Sequence, residues 1–282
     1  MPVQVEEILG KLREHGYEAF AVGGCVRDAI LGRIPGDWDI TTSAHPEEVK
    51  QVFGHTIDTG LQHGTVTVMR DHIGYEITTY RIDGEYEDGR HPKEVVFTAE
   101  LREDLRRRDF TINAMAYSHE TGIVDIFGGA EDLAARRIRC VGDAGERFTE
   151  DALRILRAVR FSAQLGFSIE KKTWQALCEL APSLVHVSKE RVQVELTKTL
   201  LSDRPEFIWK TEAAGLAPYI SKTFPEVFAA WKKQKSCAKQ SLEEKVCSKD
   251  VPAADKDAIK TETVAQQGHM FVKHECETDM AG

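Results

Sequence analysis

The feature that most constrains the fold is a pair of acidic residues, Asp37 and Asp39, that follows the glycine pair Gly23-Gly24. Residues 37–41 alternate polar and apolar side chains, which predicts a half-buried strand. Because residues i and i+2 of a strand face the same side, both carboxylates should project from one face of a sheet. The sequence therefore predicts a sheet that presents two acids close to a glycine turn.

The spacing of apolar residues predicts the other elements around this sheet. The predicted helices and strands are helix 4–15, strand 19–22, a helix resuming after Gly24, helix 46–53, strand 65–69 and strand 74–80. From about residue 101 the pattern is almost wholly helical, apart from a turn near 127–129. Strands mixed with helices and then helices alone predict an α+β fold with a helical domain behind it.

Three segments follow from this pattern. We expect a head over residues 1–140, a helical neck over 141–225, and a polar, poorly ordered tail over 226–282. The six cysteines are scattered without a CxxC pair, and there is neither a signal peptide nor an apolar run long enough to span a membrane. A cytoplasmic protein with no membrane partner is the expectation.

The charge balance does not by itself indicate a nucleic-acid-binding protein, because the net charge is −9. Any RNA would have to be held by local basic stripes, with magnesium offsetting the acidic residues of the site. The candidate stripes are Arg102, Arg106, Arg107 and Arg108, and further along the chain Arg154, Arg157 and Arg160.

Paired carboxylates at Asp37 and Asp39 can converge on magnesium, which prefers hard oxygen ligands and keeps waters and substrate phosphates as further ligands. A solvated strand face or a turn would account for such a pair on its own. The glycine pair offers a second function, because glycine lets the backbone approach a phosphate and the following helix presents free amides. Arg27 in the first turn of that helix would add a charged donor, although a glycine pair alone is more often a plain turn.

A third feature is the run Glu150-Asp151-x-x-Arg154-x-x-Arg157-x-x-Arg160. On a helix, Asp151 and Arg154 would be neighbours and the arginines would form a winding stripe. In isolation, an amphipathic helix with ion pairs would look the same.

Six motifs in this order resemble those of class II tRNA nucleotidyltransferases, the CCA-adding enzymes, whose close relatives are the bacterial poly(A) polymerases. They are GGCVRD (23–28), GDWDIT (36–41), RRDFTINAMA (107–116), DIFGG (125–129), EDALRILRAVRFSAQLGF (150–167) and ERVQVEL (190–196). The resemblance runs from about residue 17 to about 220, and beyond Lys222 the chain is truncated or divergent relative to the family. It implies that residues 1–140 form a catalytic, polymerase-β-like nucleotidyltransferase head with a mixed sheet. It also implies that residues 141–225 form an all-α neck that binds the nucleotide base and RNA.

The resemblance also implies roles for single residues. Asp37 and Asp39 would be the metal ligands, with Mg²⁺ as cofactor, and Glu76 would be a third catalytic carboxylate, unless it is a paired surface glutamate. The triphosphate would be held by Gly23, Gly24, Arg27 and Arg108. Asp109 and Asn113, four residues apart on a predicted helix, would bind the ribose hydroxyls, unless Arg107–Asp109 is a surface ion-pair cluster.

Base selection falls to Asp151 and Arg154 by the same resemblance, with Arg157 and Arg160 on the same stripe. Cytosine and adenine both present an amino group beside a ring-nitrogen acceptor, which suits a carboxylate next to a guanidinium. Uracil and guanine present the reverse order, and each mismatched buried partner costs roughly 1–3 kcal/mol. The polar segment 83–92 occupies the position of the family's flexible loop, unless it is an ordinary hairpin loop.

The expected function is therefore addition of C and A nucleotides, from CTP and ATP, to the 3′ end of tRNA. Two alternatives stay open at this stage. One is a poly(A) polymerase-type RNA adenylyltransferase, and the other is an inactive RNA-binding descendant of the enzyme.

Overall fold

The computed structural model describes residues 1–84, 95–226 and 229. The predicted loop at 83–92 and the predicted tail at 226–282 lie almost entirely outside the described residues. The helices of the described part are α1 (Val3–Glu14), α2 (Gly24–Ile30), α3 (Pro46–Val52), α4 (Leu101–Arg106), α5 (Gly129–Ala134), α6 (Ala144–Glu150), α7 (Leu153–Leu165), α8 (Lys171–Glu179), α9 (Lys189–Leu200), α10 (Trp209–Ala213) and α11 (Ala217–Ile220).

The strands are β1 (Ala19–Val22), β2 (Ile40–Thr42), β3 (Thr56–Gly60), β4 (Thr65–Arg70), β5 (Ile73–Thr79), β6 (Arg81–Asp83), β7 (Val95–Phe97), β8 (Met115–Ser118), β9 (Gly122–Asp125), β10 (Arg137–Ile138) and β11 (Ser168–Ile169). Short 3₁₀ helices occur at Leu61–His63, Thr111–Asn113, Ala181–His186 and Pro205–Ile208. None of the helices in the described part of the chain is both long and apolar enough to cross a bilayer.

A mixed seven-stranded sheet in the order β3-β4-β5-β2-β1-β8-β9 forms the framework. Strand β2 pairs with β5 in parallel, and the other neighbouring strands of this sheet pair antiparallel. All four residues of the central strand β1 are buried, which explains its unbroken apolar sequence. The mixed sheet and the helices that follow confirm the predicted α+β fold.

Two units divide the chain. The first comprises Met1–Arg154 and Ser168–Ala176, and the second comprises Ile155–Phe167 and the chain from Leu177 onward. The sheet belongs to the first unit, and the second unit contains α9, α10 and α11.

Helix α4 is fixed to the sheet of the first unit by apolar contacts. Its Leu105 is fully buried in a cluster with Phe20, Val22, Tyr80 and Ala116, and its Leu101 packs at the edge of the same cluster. This packing matters for function because the arginine-rich segment 106–108 follows directly after the cluster.

The prediction that the chain is almost wholly helical from residue 101 is wrong. Strands β8 and β9 form a hairpin in which Met115 pairs with Asp125, and β8 also pairs with β1. The segment contains alanine and methionine, which favour helices in isolation, but pairing with the buried strand β1 decides its conformation.

Candidate nucleotide-binding and metal site

The glycine turn between β1 and α2 has a backbone that requires glycine. Gly23 lies at φ 86° and ψ −131°, a conformation that side-chain-bearing residues avoid. A Cβ atom built on Gly23 would lie 3.0 Å from Nη1 of Arg108, so this turn and that guanidinium are in close contact. Gly24 begins α2 with space for a small side chain, its nearest neighbour being Nη2 of Arg27 at 3.6 Å.

The sequence predicted that Asp37 and Asp39 lie within a strand, and this prediction is wrong. Both residues come immediately before β2, which begins at Ile40. The backbone of Asp39 still joins the sheet, because its carbonyl oxygen accepts a hydrogen bond from the amide of Val22 at 3.0 Å. Gly36, Asp37 and Asp39 are exposed and Trp38 is half-buried, which is why the strand begins later.

The neighbours of Asp39 include two acids and one arginine. Part of its side chain reaches solvent, but the protein packed around the rest raises the pKa of this carboxyl, Asp37 adds to the rise, Arg108 opposes it and Glu76 adds a smaller rise. The negative charges of Asp37 and Glu76 thus raise the pKa of Asp39, and a nearby cation would offset this repulsion.

The register of the sheet explains why Glu76 is near. Ile40 of β2 pairs in parallel with Ile77 of β5, so the residues that precede them, Asp39 and Glu76, lie at adjacent positions. Within residues 1–84 and 95–226, no group of three or more His, Cys, Asp and Glu side chains is arranged to hold a metal ion alone. Two carboxylates suffice for magnesium when waters and substrate phosphates complete its coordination.

Arg27 is buried and contacts two polar neighbours. Its Nε and Nη2 donate to the carboxylate of Asp28 at 2.9 and 2.8 Å, and its Nη1 donates to Oδ1 of Asn113 at 2.7 Å. Asn113 in turn donates from Nδ2 to Oδ1 of Asp109 at 3.1 Å. Arg27, Asn113 and Asp109 therefore form a continuous polar chain beside the glycine turn.

The prediction that Asp109 and Asn113 share a face of a helix is wrong, although the two side chains do meet. Helix α4 ends at Arg106, Asp109 lies in the following turn, and Asn113 ends a 3₁₀ helix. The Asp109 carboxylate also accepts from the amide of Phe110 at 2.8 Å, which stabilises the turn.

Asp151 and Arg154 do not lie on one helix either. Helix α6 ends at Glu150 and α7 begins at Leu153, so Asp151 occupies the break and its Oδ1 accepts from the amide of Leu153 at 3.0 Å. The break exists because the backbone amides at the start of α7 need an acceptor that Asp151 supplies.

Arg154 is buried, and three of its donors are used. Nη1 donates to Oε2 of Glu150 at 2.6 Å and to the carbonyl of Arg147 at 3.2 Å, and Nη2 donates to the carbonyl of Arg107 at 3.0 Å. The residue after Arg107 is Arg108, which contacts Gly23 and lowers the pKa of Asp39. The base-selecting candidates and the acidic pair are thus connected within the first unit.

Arg157 and Arg160 belong to the second unit. Arg160 is buried there, donating from Nε to Glu195 at 2.5 Å and from Nη1 to Gln164 at 2.8 Å, with its guanidinium 3.9 Å from the ring centre of Phe161. Arg157 lies over the same ring at 5.4 Å. Arg160 thus forms an ion pair with Glu195, and both arginines pack against the ring of Phe161. A role of either arginine in base binding stays a prediction.

Two acidic residues near the site were not assigned by sequence reasoning. Asp104 is fully buried between Arg107 and Arg108, and Glu150 holds Arg154. The signal for both was present, because an acid three or four residues before an arginine is the spacing of a helical ion pair.

Comparisons with known proteins relate the chain to a family of polymerases. Residues 19–139 match the family model of the poly A polymerase head domain, and residues 166–223 match a model described as the probable RNA and SrmB-binding site of polymerase A. The chain is 54% identical over 202 residues to the CCA-adding enzyme of Leuconostoc mesenteroides, covering 72% of this chain and 50% of that enzyme.

Solved structures give the same relationship. The crystal structure of the Bacillus stearothermophilus CCA-adding enzyme in complex with CTP matches with a TM-score of 0.72 and 44% identity, over 78% of this chain and 54% of that one. A tRNA nucleotidyltransferase complexed with a primer tRNA and an incoming ATP analog matches with a TM-score of 0.65 and 29% identity, over 80% and 67%. The chain spans about half the length of the curated relatives it matches.

Proposed function

The chain belongs to the nucleotidyltransferase family that shares the poly A polymerase head domain and includes the CCA-adding enzymes, and on this premise we propose that it adds C and A nucleotides to the 3′ end of tRNA. The substrates would be CTP and ATP. The observation that carries the proposal is the position of Arg108, which touches the Gly23 turn on one side and acts on the Asp39 carboxyl on the other.

Divalent metal use is general in this family, and the acidic residues of the chain fit such an ion. Asp37 and Asp39 would hold it, and we propose Mg²⁺ because both ligands are hard carboxylate oxygens. When bound, the ion stabilises the attacking and leaving oxygens of an in-line displacement. Glu76 would accept the proton of the RNA 3′-hydroxyl, a role supported by its position next to Asp39 in the sheet register.

The protein would hold the nucleotide by its triphosphate and by its ribose. Arg108, Arg27 and the amides after Gly23 would contact the triphosphate, because glycine permits a close approach and the helix start offers free N–H groups. The polar chain that ends at Asn113 and Asp109 would contact the ribose hydroxyls. Both groups lie next to the turn, so one nucleotide could reach them together.

Base selection would fall to Asp151 and Arg154. A guanidinium has five N–H donors, of which Arg154 uses three for Glu150 and two backbone carbonyls, so its position is fixed while donors remain for a ring nitrogen. The carboxylate of Asp151 would accept the amino proton of cytosine or adenine. A cytoplasmic location is part of the same proposal and is supported by the free thiols of Cys25, Cys140 and Cys178.

The experiment is to incubate the full chain with tRNA that lacks its CCA end, Mg²⁺ and one labelled nucleoside triphosphate at a time. The proposal expects a short, defined addition of C and then A, no addition of U or G, and no activity in the Asp39→Asn variant. No incorporation by the intact chain under any of these conditions would refute the proposed activity and leave an RNA-binding protein.

A second candidate is poly(A) polymerase-type adenylation, which the description of both matched family models favours. The same assay separates the two activities. Long A tracts without a requirement for CTP would identify a poly(A) polymerase. Addition of A only after addition of C would identify a CCA-adding activity.

A further inference from the structure

Asp104 is a fully buried acid of the first unit that the proposed mechanism does not use. Its side chain is 0% exposed, on the inner face of α4 next to Leu105. Arg107 donates to Oδ1 from Nε at 3.0 Å and from Nη2 at 2.7 Å, and Arg108 donates from Nη2 to Oδ2 at 3.2 Å. Two guanidinium groups therefore share one carboxylate in the interior.

The charge of Asp104 is maintained despite burial. Burial alone would raise the pKa of this carboxyl, but the charges and hydrogen bonds of Arg107 and Arg108 lower it below the ordinary value. The group is accordingly ionised at neutral pH. A buried carboxylate that is paired in this way holds its partners in one geometry, because any other geometry leaves a charge without compensation.

The position of the Arg108 guanidinium depends on its contact with the Asp104 carboxylate. In the part of the chain that the structure describes, the partner of its guanidinium is the Asp104 carboxylate, and its buried Nε has no hydrogen-bond partner. Its Nη1 lies against the Gly23 turn. Asp39 acts on this guanidinium through its charge, whereas Asp104 is the hydrogen-bonded partner that fixes it at the turn.

Asp104 also contacts the strand that follows the acidic pair. Oγ1 of Thr41 in β2 lies 3.1 Å from Oδ2 of Asp104 and 3.2 Å from the carbonyl oxygen of Thr78, so its single proton serves one acceptor at a time. Thr41 comes two residues after Asp39. One carboxylate thus connects the segment that presents the acids with the arginine beside them.

We propose that Asp104 is a positioning residue for nucleotide binding, which holds the Arg108 guanidinium at the Gly23 turn so that it meets the triphosphate of the incoming nucleotide. This inference rests on the proposed function. It assigns Asp104 no contact with the substrate, so the effect of changing it should pass entirely through Arg108.

The test measures binding of CTP and of CMP to the full chain by isothermal titration calorimetry, because the two ligands share base and ribose and differ in the phosphates that Arg108 would contact. Asp104→Asn should weaken CTP binding about tenfold, the usual effect of losing one charge-assisted contact. CMP binding should change by less than about twofold. Glu103→Gln is the matched control, since it removes the same charge from the preceding, partly exposed position of α4 and should alter neither affinity.

A double-mutant cycle distinguishes positioning from general support of the fold. Arg108→Gln alone and Asp104→Asn combined with Arg108→Gln should show the same CTP affinity, because the second change has nothing left to act on. Independent, additive losses in the cycle, or equal weakening of CTP and CMP by Asp104→Asn, would overturn the inference. Circular dichroism checks that each variant is folded.

If Asp104→Asn does not fold, Thr41→Val provides the second variant, because it keeps the charge and removes only the hydroxyl contact. It should weaken CTP binding about twofold to threefold and leave CMP binding unchanged, and an equal effect on both ligands would refute the inference.

Failure of the proposed function gives a different result from failure of the positioning role. In that case Arg108→Gln itself would leave CTP binding unchanged, whereas an effect of Arg108→Gln without one of Asp104→Asn refutes the positioning role alone.

Discussion

The substitution Gly23→Ala should separate the two demands that the turn places on residue 23. The first is conformational, since the backbone at φ 86° and ψ −131° is strained for any residue with a Cβ atom. The second is steric, since the new methyl carbon would lie 3.0 Å from Nη1 of Arg108, inside normal contact distance. The guanidinium therefore has to move back by a few tenths of an ångström.

The two demands have different magnitudes and different consequences. Forcing alanine into this conformation costs about 2–3 kcal/mol of stability. Because 1 kcal/mol lowers the melting temperature of a unit of this size by roughly 2–4 °C, the variant should melt about 4–12 °C lower and remain folded at 25 °C. A shift of Arg108 weakens its charge-assisted contact to the nucleotide, which should lower kcat/KM for CTP about threefold to tenfold.

Gly32→Ala is the control for strain alone. Gly32 follows the other end of α2 at φ 70°, and a Cβ atom there would meet nothing within 4 Å. It should lose about 1–2 kcal/mol of stability and keep the CTP kinetics of the unmodified chain. Thermal melting followed by incorporation of labelled C at 25 °C measures both quantities. Equal loss of activity in the two alanine variants, or full activity in Gly23→Ala, would refute the proposed contact between the turn, Arg108 and the nucleotide.

Further expectations concern the acids and the thiols. Asp39→Asn should reduce incorporation about a thousandfold or more, with unchanged circular dichroism, because a lost ligand removes several kcal/mol of transition-state stabilisation; near-normal turnover would contradict the metal assignment. Asp151→Ala should reduce the preference for CTP over UTP about tenfold in competition assays, and unchanged selectivity would exclude this residue from base reading. Since the folded-state pKa of Asp104 lies below its ordinary value of 3.8, its stabilisation is present above that pH and is lost as pH falls through the folded-state pKa. Urea melts should therefore show Asp104→Asn less stable than the unmodified chain at pH 7, with the gap closing below about pH 4, and a pH-independent gap would contradict the sign. Burial raises the pKa of Cys25 to about 11 and that of Cys140 to about 12, so iodoacetamide at pH 8 should leave both unmodified in the folded protein and label both in urea, as peptide mapping can check.

The sequence predicted an element correctly where all of its residues are apolar and buried. The strand Ala19–Val22 was predicted with the bounds that the structure shows, because an unbroken apolar run before a glycine pair has few alternatives. The hairpin β8–β9 was missed for the opposite reason. Residues 115–118 lie beside the central strand, with Val22 opposite Ala116, and that partner is almost a hundred residues earlier in the chain. No local pattern contains that information.

The candidate site shows the same limit at the level of single side chains. The residues of the site were predicted from their motifs, but the way they meet was not. Asp109 and Asn113 were expected to meet across a helix turn and instead meet because a 3₁₀ helix returns the chain after Phe110. The run from 144 to 165 contains no proline and, after residue 145, no glycine, so the N-capping residue Asp151 was the only local sign of the break between α6 and α7.

That break has a consequence for the proposed base selection. A carboxylate on the middle of an exposed helix can adopt several rotamers, whereas Asp151 has one oxygen bound to the amide of Leu153 and is thereby oriented. Arg154 is oriented in turn by Glu150 and by the carbonyl of Arg107, which lies 47 residues earlier in the chain. Reading a base without a template requires donor and acceptor at fixed positions before the base arrives, because mobile side chains would rearrange to suit any base. A continuous helix, as the sequence suggested, would supply the same two residues without that constraint, so the interruption of the helix is the feature on which selectivity should depend.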